Sequence, residues 1–300
     1  MISIIIPTLN EEKYLPLLLK SIKKQDFSDY EVIVADAGSK DATRRIAREF
    51  GAKVVKGGIP AAGRNAGAKA AKGEFLFFLD ADVVIPRHFL KNAYREMQER
   101  YLDLATCELK PLSSLLIDKV LHELFNLGIK LSQLSDSHAP GPCTMVTRRL
   151  FGRIDGFDTT IKVGEDLNFA RRAGKFRPIR VLRSTYVEIS VRRLDKEGRA
   201  ELVRKYIQVE LHRLFKGEVR HNLIEYEYAN YESSSPLVRK KLSTILQRAK
   251  SLNKEFNKAS VIKPDSAYTK KAKDNAQKIS GQAKEMALSL KNLLTGKPKK

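Results

Sequence analysis

Two aspartates one residue apart, Asp80 and Asp82, close the segment GEFLFFLDADVV (73–84). Ahead of them runs an unbroken apolar stretch, Phe75–Leu79, of the kind shown by a strand covered on both faces. Two carboxylates just beyond a strand can share a hard divalent cation. Such an ion takes one or two protein carboxylates and fills its other positions with water and phosphate oxygens. A second acidic pair, Glu165 and Asp166 in GEDLNFARR, opens a predicted helix, whose positive end favours carboxylates with or without a function. A carboxylate there, facing a cation-bound leaving group, can take the proton of an incoming hydroxyl. Between the two pairs lie Arg64 and Asn65, in GRNAG. The guanidinium suits a diphosphate, and the amide suits a ribose or sugar hydroxyl.

These side chains need a scaffold that gathers strand ends. ISIIIP (2–7), EVIVA (31–35), KVVK (53–56) and FLFFL (75–79) read as strands. Helical patterns separate them: Leu15, Leu18, Leu19 and Ile22 after Asn10 as N-cap, then about 41–50 ending at Gly51, then AAGRNAGAKAAKG. Ser39 is expected to cap the second helix. The alternation predicts an open, largely parallel sheet covered by helices, with ligands at the carboxyl ends of the strands. Four such ends carry distinctive residues: PTLNEE (7–12), DAGSKDAT (36–43), the approach to GRNAG (63–67), and the DAD of 80–82. Asp36, last in its strand, is expected at the ligand edge.

Further along, LATCEL (104–109) reads as a strand, and 112–134 as a helix with a broad apolar side. That helix fits either a buried core or dimer position or an interfacial position on a membrane. IRVL and YVEISV read as two more strands, and roughly 195–216 as a long helix. SSSP, from Ser233, reads as a linker into a Lys-rich segment able to form amphipathic helices.

The net charge is +21, from 56 Lys and Arg against 35 Asp and Glu. Residues 233–300 hold 17 basic and 4 acidic residues, so most of the excess lies there. Cys107 and Cys143 form neither a disulfide framework nor a zinc motif, which suits a reducing compartment. The segment MISIIIPTLN reads as a strand without a basic leader, and no apolar run reaches roughly 18 residues. The expected location is therefore cytoplasmic, with room for a peripheral place at the membrane.

Taken in order, ISIIIPTLNEE, VIVADAGSKDAT, GRNAGAKAAKGEFLFFLDADVVIP and GFDTTIKVGEDLNFARRAG resemble the family 2 glycosyltransferases of the GT-A fold. The resemblance is strong over about 1–180 and looser to about 230. It implies a Rossmann-like open mixed sheet flanked by helices, to which the composition adds a C-terminal basic helical tail. It also implies a GT-A domain over 1–232, with a nucleotide-sugar half (1–110) and an acceptor half (111–232); composition sets off 233–300 as a Lys-rich tail, helical or partly disordered. By resemblance, the DxD binds a divalent metal, Mn²⁺ or Mg²⁺, and the nucleotide diphosphate, with Asp82 the principal ligand and Asp80 reaching ribose or metal. Pro7, Thr8, Asn10 and Glu11 match the first-strand nucleotide loop, and Arg64 and Asn65 an arginine–asparagine motif. Asp36 matches the base-contacting position, where the family often has a second aspartate and this chain has Ala37. Asp166 matches the catalytic base, with Glu165 beside it. The implied reaction is an inverting displacement from a nucleotide-diphosphate sugar to an acceptor hydroxyl or phosphate, on a glycan or a polyprenyl-linked lipid.

On the acceptor side the candidates are His138, in SHAPGPC, and Arg192 and Arg193, which could hold a phosphate. The 112–134 helix and the 233–300 segment are candidates for an anionic membrane surface. The rival reading is a basic protein that binds nucleic acid or anionic membrane and lacks transferase activity. No nucleic-acid partner is expected, because the basic segment has little aromatic interleaving and the strand ends gather acids. A phosphatase of the aspartyl-phosphate type would carry its DxD after the first strand, and a nucleotidyltransferase would carry a Gly-rich loop there. PTLN is neither.

Overall fold

In the computed structural model, which describes residues 1–133, 141–199, 201–202, 204–205, 208–209, 212, 218–220, 236–259 and 270–295, FLFFL is a strand buried at every position. The chain divides into two units. One comprises 1–109, 136–189 and 212–223, and the other 110–135, 190–211 and 224–300.

The first unit carries the sheet. Its strands are β1 (Ile2–Thr8), β2 (Tyr30–Asp36), β3 (Lys53–Lys56), β4 (Phe75–Leu79), β5 (Val83–Val84), β6 (Leu104–Pro111), β7 (Cys143–Thr147) and β8 (Arg180–Ile189). Their spatial order is β3-β2-β1-β4-β7-β6-β8-β5. β1 pairs in parallel with β2 and β4, and β2 with β3. From β4 onward the pairing turns antiparallel: β4 with β7, β6 with β7, β5 with β8. The sheet is thus open and mixed, as the resemblance implies. IRVL and YVEISV, expected as two strands, are the single strand β8.

Helices α1 (Leu15–Lys23), α2 (Thr43–Glu49), α3 (Pro60–Ala70), α4 (Phe89–Glu99), α6 (Arg148–Arg153) and α7 (Glu165–Gly174) cover it. Ile2, Ile4, Ile6, Phe77 and Leu79 enter one apolar cluster with Leu15, Leu18 and Phe89. Ile5, Leu76 and Phe78, one residue out of phase, enter another with Ala61, Ala68, Phe157 and Phe169. Alternating strand residues thus supply two cores, which is why these runs show no polar face.

Two capping expectations fail. Asn10 does not cap α1, whose N-cap Tyr14 makes no side-chain bond. Asn10 instead takes a left-handed backbone (φ 55°), a region in which asparagine is enriched. Ser39 does not cap α2, whose N-cap Ala42 makes no side-chain bond; just before it the Asp41 Oδ1 accepts the Thr43 N–H at 3.0 Å. Of the long helix expected over roughly 195–216, the described residues 199, 201, 202, 204, 205, 208, 209 and 212 are helical, with a break before them. A helix α8 runs Arg192–Glu197 and stops at Gly198, whose φ is 83°. Cys107 and Cys143, far apart in sequence, face each other from β6 and β7 with Sγ atoms 3.5 Å apart, both free and buried.

The second unit is helical. It contains α5 (Leu116–Ser132), α8, α9 (Pro236–Ala259) and α10 (Lys270–Thr295). Val120 and Leu127 of α5 are buried with Ile245, Leu246, Ala249 and Leu252 of α9 and Ile279, Met286 and Leu290 of α10. The broad apolar side of α5 therefore packs inside this unit, leaving Phe125 as its exposed aromatic. Two buried cations have partners here: Arg199 donates to both Asp118 oxygens (2.7 and 3.0 Å), and Lys130 donates to the neutral amide oxygen of Asn253. Among the described residues no helix is long and apolar enough to cross a membrane.

Candidate active site

The parallel register brings Thr8 opposite Asp36 at the carboxyl ends of β1 and β2. Asp36 is buried, and its carboxylate is held on several sides. Oδ2 accepts from Thr8 Oγ1 (3.2 Å) and Ser39 Oγ (2.5 Å), and Oδ1 accepts from the Gly38 and Ser39 N–H groups. The two loops then interlock. The Asn10 N–H donates to Ser39 Oγ, the Lys40 N–H to Asn10 Oδ1, and the Glu11 N–H to Thr43 Oγ1. Pro7 and Thr8 end β1 here, and Leu9 stands 55% exposed beside them. Asp36 thus shapes the rim by ordering both loops.

The acidic pairs meet at Arg64. This residue is one turn into α3, and it is 4% exposed. Its Nη2 lies 2.9 Å from Asp80 Oδ1 and its Nη1 2.6 Å from Glu165 Oε1. Burial alone would lower the guanidinium's pKa, but the charges of Asp80, Glu165 and Asp166 raise it above its ordinary value. Asp80 is held from the backbone as well, its N–H donating to the Pro142 carbonyl at 3.3 Å. Asp82 follows in the same turn, past the buried Ala81, and is partly exposed.

Glu165 and Asp166 form the first turn of α7. Asp166 is half-buried, and desolvation pushes its carboxyl up to about 7. Glu165's negative charge adds to the rise, and Arg64 opposes it. Its Oδ1 accepts the N–H of Leu167. Gly141 leaves room for it: a Cβ there would lie 2.8 Å from Asp166 Oδ2 and 3.7 Å from Arg64 Nη2.

The structure therefore brings Arg64, Asp80, Glu165 and Asp166 together, with Asp82 two residues along the turn. Asp80 and Asp82 offer hard oxygen donors on a partly open turn. Among the described residues no group of three or more His, Cys, Asp or Glu is placed to cage an ion. That pair suits a divalent cation whose remaining positions go to water and phosphate.

Other candidates sit differently. Asn65 is engaged with the backbone of Phe157. Arg193 Nε donates to Glu197 Oε1 at 2.8 Å in α8, and Arg192 opens that helix. His138 lies outside the described residues. Arg171 pairs with Glu218, and Arg172 donates to the carbonyls of Ile154 and Gly156. Sequence reading passed over Gly141 and Phe157. Both stood inside quoted stretches, SHAPGPC and GFDTTIKVGED, but their neighbours in sequence gave no sign of contacts made with residues far along the chain.

An open sheet that is parallel over β3-β2-β1-β4 and antiparallel beyond, flanked by helices, is the GT-A fold. The chain belongs to glycosyl transferase family 2, whose profile matches residues 3–154. It is 36% identical over 118 residues to the poly(ribitol-phosphate) beta-N-acetylglucosaminyltransferase TarS of Staphylococcus aureus. That match covers 36% of this chain and 21% of TarS. A poly(ribitol-phosphate) beta-glucosyltransferase of Bacillus spizizenii is 30% identical over 185 residues, covering 57% of this chain and 29% of the relative. The matched parts thus span only about a fifth to a third of these relatives. The crystal structure of S. aureus TarS 1–349 in complex with UDP-GlcNAc superposes with a TM-score of 0.52 at 28% identity, over 63% of this chain and 58% of that one. The mannosyltransferase PcManGT of Pyrobaculum calidifontis, in complex with GDP-Man and Mn²⁺, shares the fold at TM-score 0.54 and 18% identity, over 99% and 88% of the two chains.

Proposed function

We propose that the chain is an inverting glycosyltransferase that moves a sugar from a nucleotide diphosphate to an acceptor hydroxyl. The observation that carries this reading is Arg64, ion-paired at once to Asp80 of the DxD turn and to Glu165 beside Asp166. One buried cation ties the end that would hold the leaving group to the end that would hold the base. Asp166 takes the acceptor's proton as the acceptor oxygen bonds to the anomeric carbon and the bond from that carbon to the diphosphate oxygen breaks. A carboxyl titrating near 7 is matched to that task. Arg64 meets the charge that develops on the diphosphate. Asp82 and Asp80 would hold a Mn²⁺ or Mg²⁺ ion, which when bound supplies further charge neutralisation for that leaving group. Pro7, Thr8, Asn10, Glu11 and Asp36 shape the loops that would take the nucleoside.

The acceptors named for the two relatives carry phosphate along their length, which suits a basic chain. We extend that chemistry here to a phosphate-bearing glycan or polyol chain or a polyprenyl-linked lipid, with Arg192, Arg193 and His138 as candidate contacts. Attachment to an anionic membrane belongs to the same proposal. With the apolar side of α5 packed on α9 and α10, such attachment would rest on the exposed cations of those helices.

A thermal-shift panel of UDP-, GDP-, dTDP- and CDP-sugars with Mn²⁺ or Mg²⁺ tests the reading. At least one donor should stabilise the chain only with metal, and Asp82→Ala should abolish the effect. No response to any donor would count against the assignment.

A further inference from the structure

Asn65 follows Arg64 on α3, and its side-chain amide brackets the backbone of one residue, Phe157, in a distant loop. The Phe157 N–H donates to Asn65 Oδ1 at 2.9 Å, and Asn65 Nδ2 donates to the Phe157 carbonyl at 2.8 Å. Donor and acceptor are thus matched at both ends, as one strand matches another. From the other side Arg172 of α7 donates to the carbonyls of Ile154 and Gly156, both at 2.5 Å. The loop between α6 and α7 is therefore pinned by one side chain from each helix that frames the site.

The Phe157 ring is where the elements of the site meet. It stacks on Phe169 of α7 (centroids 4.1 Å, 16° between planes) and stands edge-on to Phe78 of β4 (5.1 Å). The Arg64 guanidinium lies 5.4 Å from its centroid, over the ring. α3 carries Arg64, β4 leads into Asp80, and α7 begins with Glu165 and Asp166. Gly156 permits the contact: its φ is 61°, and a Cβ there would stand 2.6 Å from Asn65 Oδ1.

We propose that Asn65 is a positioning residue for transfer, fixing the Phe157 backbone so that the base-bearing start of α7 stays in register with Arg64 and Asp80. This replaces the expectation that its amide contacts a donor hydroxyl, and it rests on the reading of Asp166 as the base. Arg64 has two ion pairs of its own, whereas the approach to Asp166 depends on the pinned loop. Loss of the bracket therefore displaces the base more than the donor side. Aspartate would keep the bond from the Phe157 N–H but would oppose an anionic oxygen to the carbonyl. Alanine would keep neither bond.

The test uses the full chain and three variants: Asn65→Ala, Asn65→Asp and Gly156→Ala, the last disturbing the bracket while leaving Asn65 in place. The donor is whichever of UDP-GlcNAc, UDP-glucose and GDP-mannose, with Mn²⁺, most stabilises the wild-type chain. Donor affinity is read by calorimetry, and turnover as release of the nucleoside diphosphate with water as acceptor. Each variant should keep donor affinity within about threefold. Turnover should fall at least about tenfold, since misplacing a reacting group by about 1 Å costs about 10²-fold. A loss of donor affinity as large as the loss of turnover in Asn65→Ala, with Gly156→Ala silent, would make Asn65 a donor contact and overturn the proposal. Wild-type turnover in all three variants, or failure of all three to fold, would overturn it too. If no donor stabilises the wild-type chain, the transferase reading falls and the inference with it. If the wild type binds donor but Asp166→Asn turns over normally, the base assignment is what fails.

Discussion

Arg64 and Glu165, 101 residues apart in sequence, are joined Nη1 to Oε1 at 2.6 Å, while the same guanidinium holds Asp80 at 2.9 Å. No local rule of helix or turn produces such a pair. It arises because parallel pairing of β1 with β4 sets the start of the DxD turn beside α3, and the acidic end of α7 packs there within the same unit.

Replacing Arg64 with alanine should therefore harm both ends of the site. Removing one group that stabilises charge in a transition state costs on the order of 10²–10³ in rate. We expect a fall of that size in kcat/KM, together with weaker donor binding. Arg64→Lys keeps the charge but cannot bridge two carboxylates as a planar fork does, so it should recover only part of the loss. Wild-type kinetics for Arg64→Ala would remove the guanidinium from the mechanism.

The carboxyl of Asp166 gives a pH signature. Its value rises from 3.8 to about 7, first through desolvation and then through Glu165. The folded state thus holds the proton more tightly than the unfolded chain does. The group's contribution to stability is complete below the unfolded value and is lost as pH rises through about 7. Asp166→Asn removes that loss, so at pH 8 the variant should be more stable than the wild type, by on the order of a few kcal/mol at most. The gap should close towards pH 4. Wild-type turnover should rise as pH passes through about 7, because a base must first lose its proton. An equal gap at pH 4 and pH 8 would contradict the assignment.

In the helical unit, Arg199 meets both oxygens of a fully buried Asp118 and also Asp195. Breaking a buried pair by removing one partner costs about 3–5 kcal/mol, because the other charge is left alone. Arg199→Ala should lower the denaturation midpoint accordingly, and a change below about 1 kcal/mol would place this pair with ordinary surface pairs.

Attachment to anionic membrane is best tested without truncation. Deleting 233–300 would strip α9 and α10 from α5 and bare Val120 and Leu127. Charge reversal at the exposed Arg248, Lys250, Lys254, Lys278 and Lys284 leaves those contacts in place. Each basic residue near an anionic surface contributes about 1 kcal/mol. The wild type should float with anionic but not neutral liposomes, and the reversed variant should not. Equal flotation of the two would remove these cations from the account.

How much of this could be read in the sequence varies with the range of the cause. The strands of the parallel half were legible because FLFFL and ISIIIP are apolar on both faces, and both faces are in fact buried. The acids at strand ends were legible because polar residues after such a run have few other places to be. Asn10 was misread because its cap-like spacing is local, whereas its partners, Ser39 and Lys40, are on another loop. Asn65 was read as a ligand group because nothing near it in sequence announces the Phe157 backbone 92 residues away. The break at Gly198 was missed because the residues on either side of it are good helix formers.

The central claim, a division of labour between donor-side aspartates and a separate base, is tested most directly by Asp166→Asn with both functions measured on one preparation. Donor affinity in the presence of Mn²⁺ should stay close to that of the wild type, while transfer falls by on the order of 10² or more. Loss of donor affinity in step with transfer, or transfer at the wild-type rate, would contradict it.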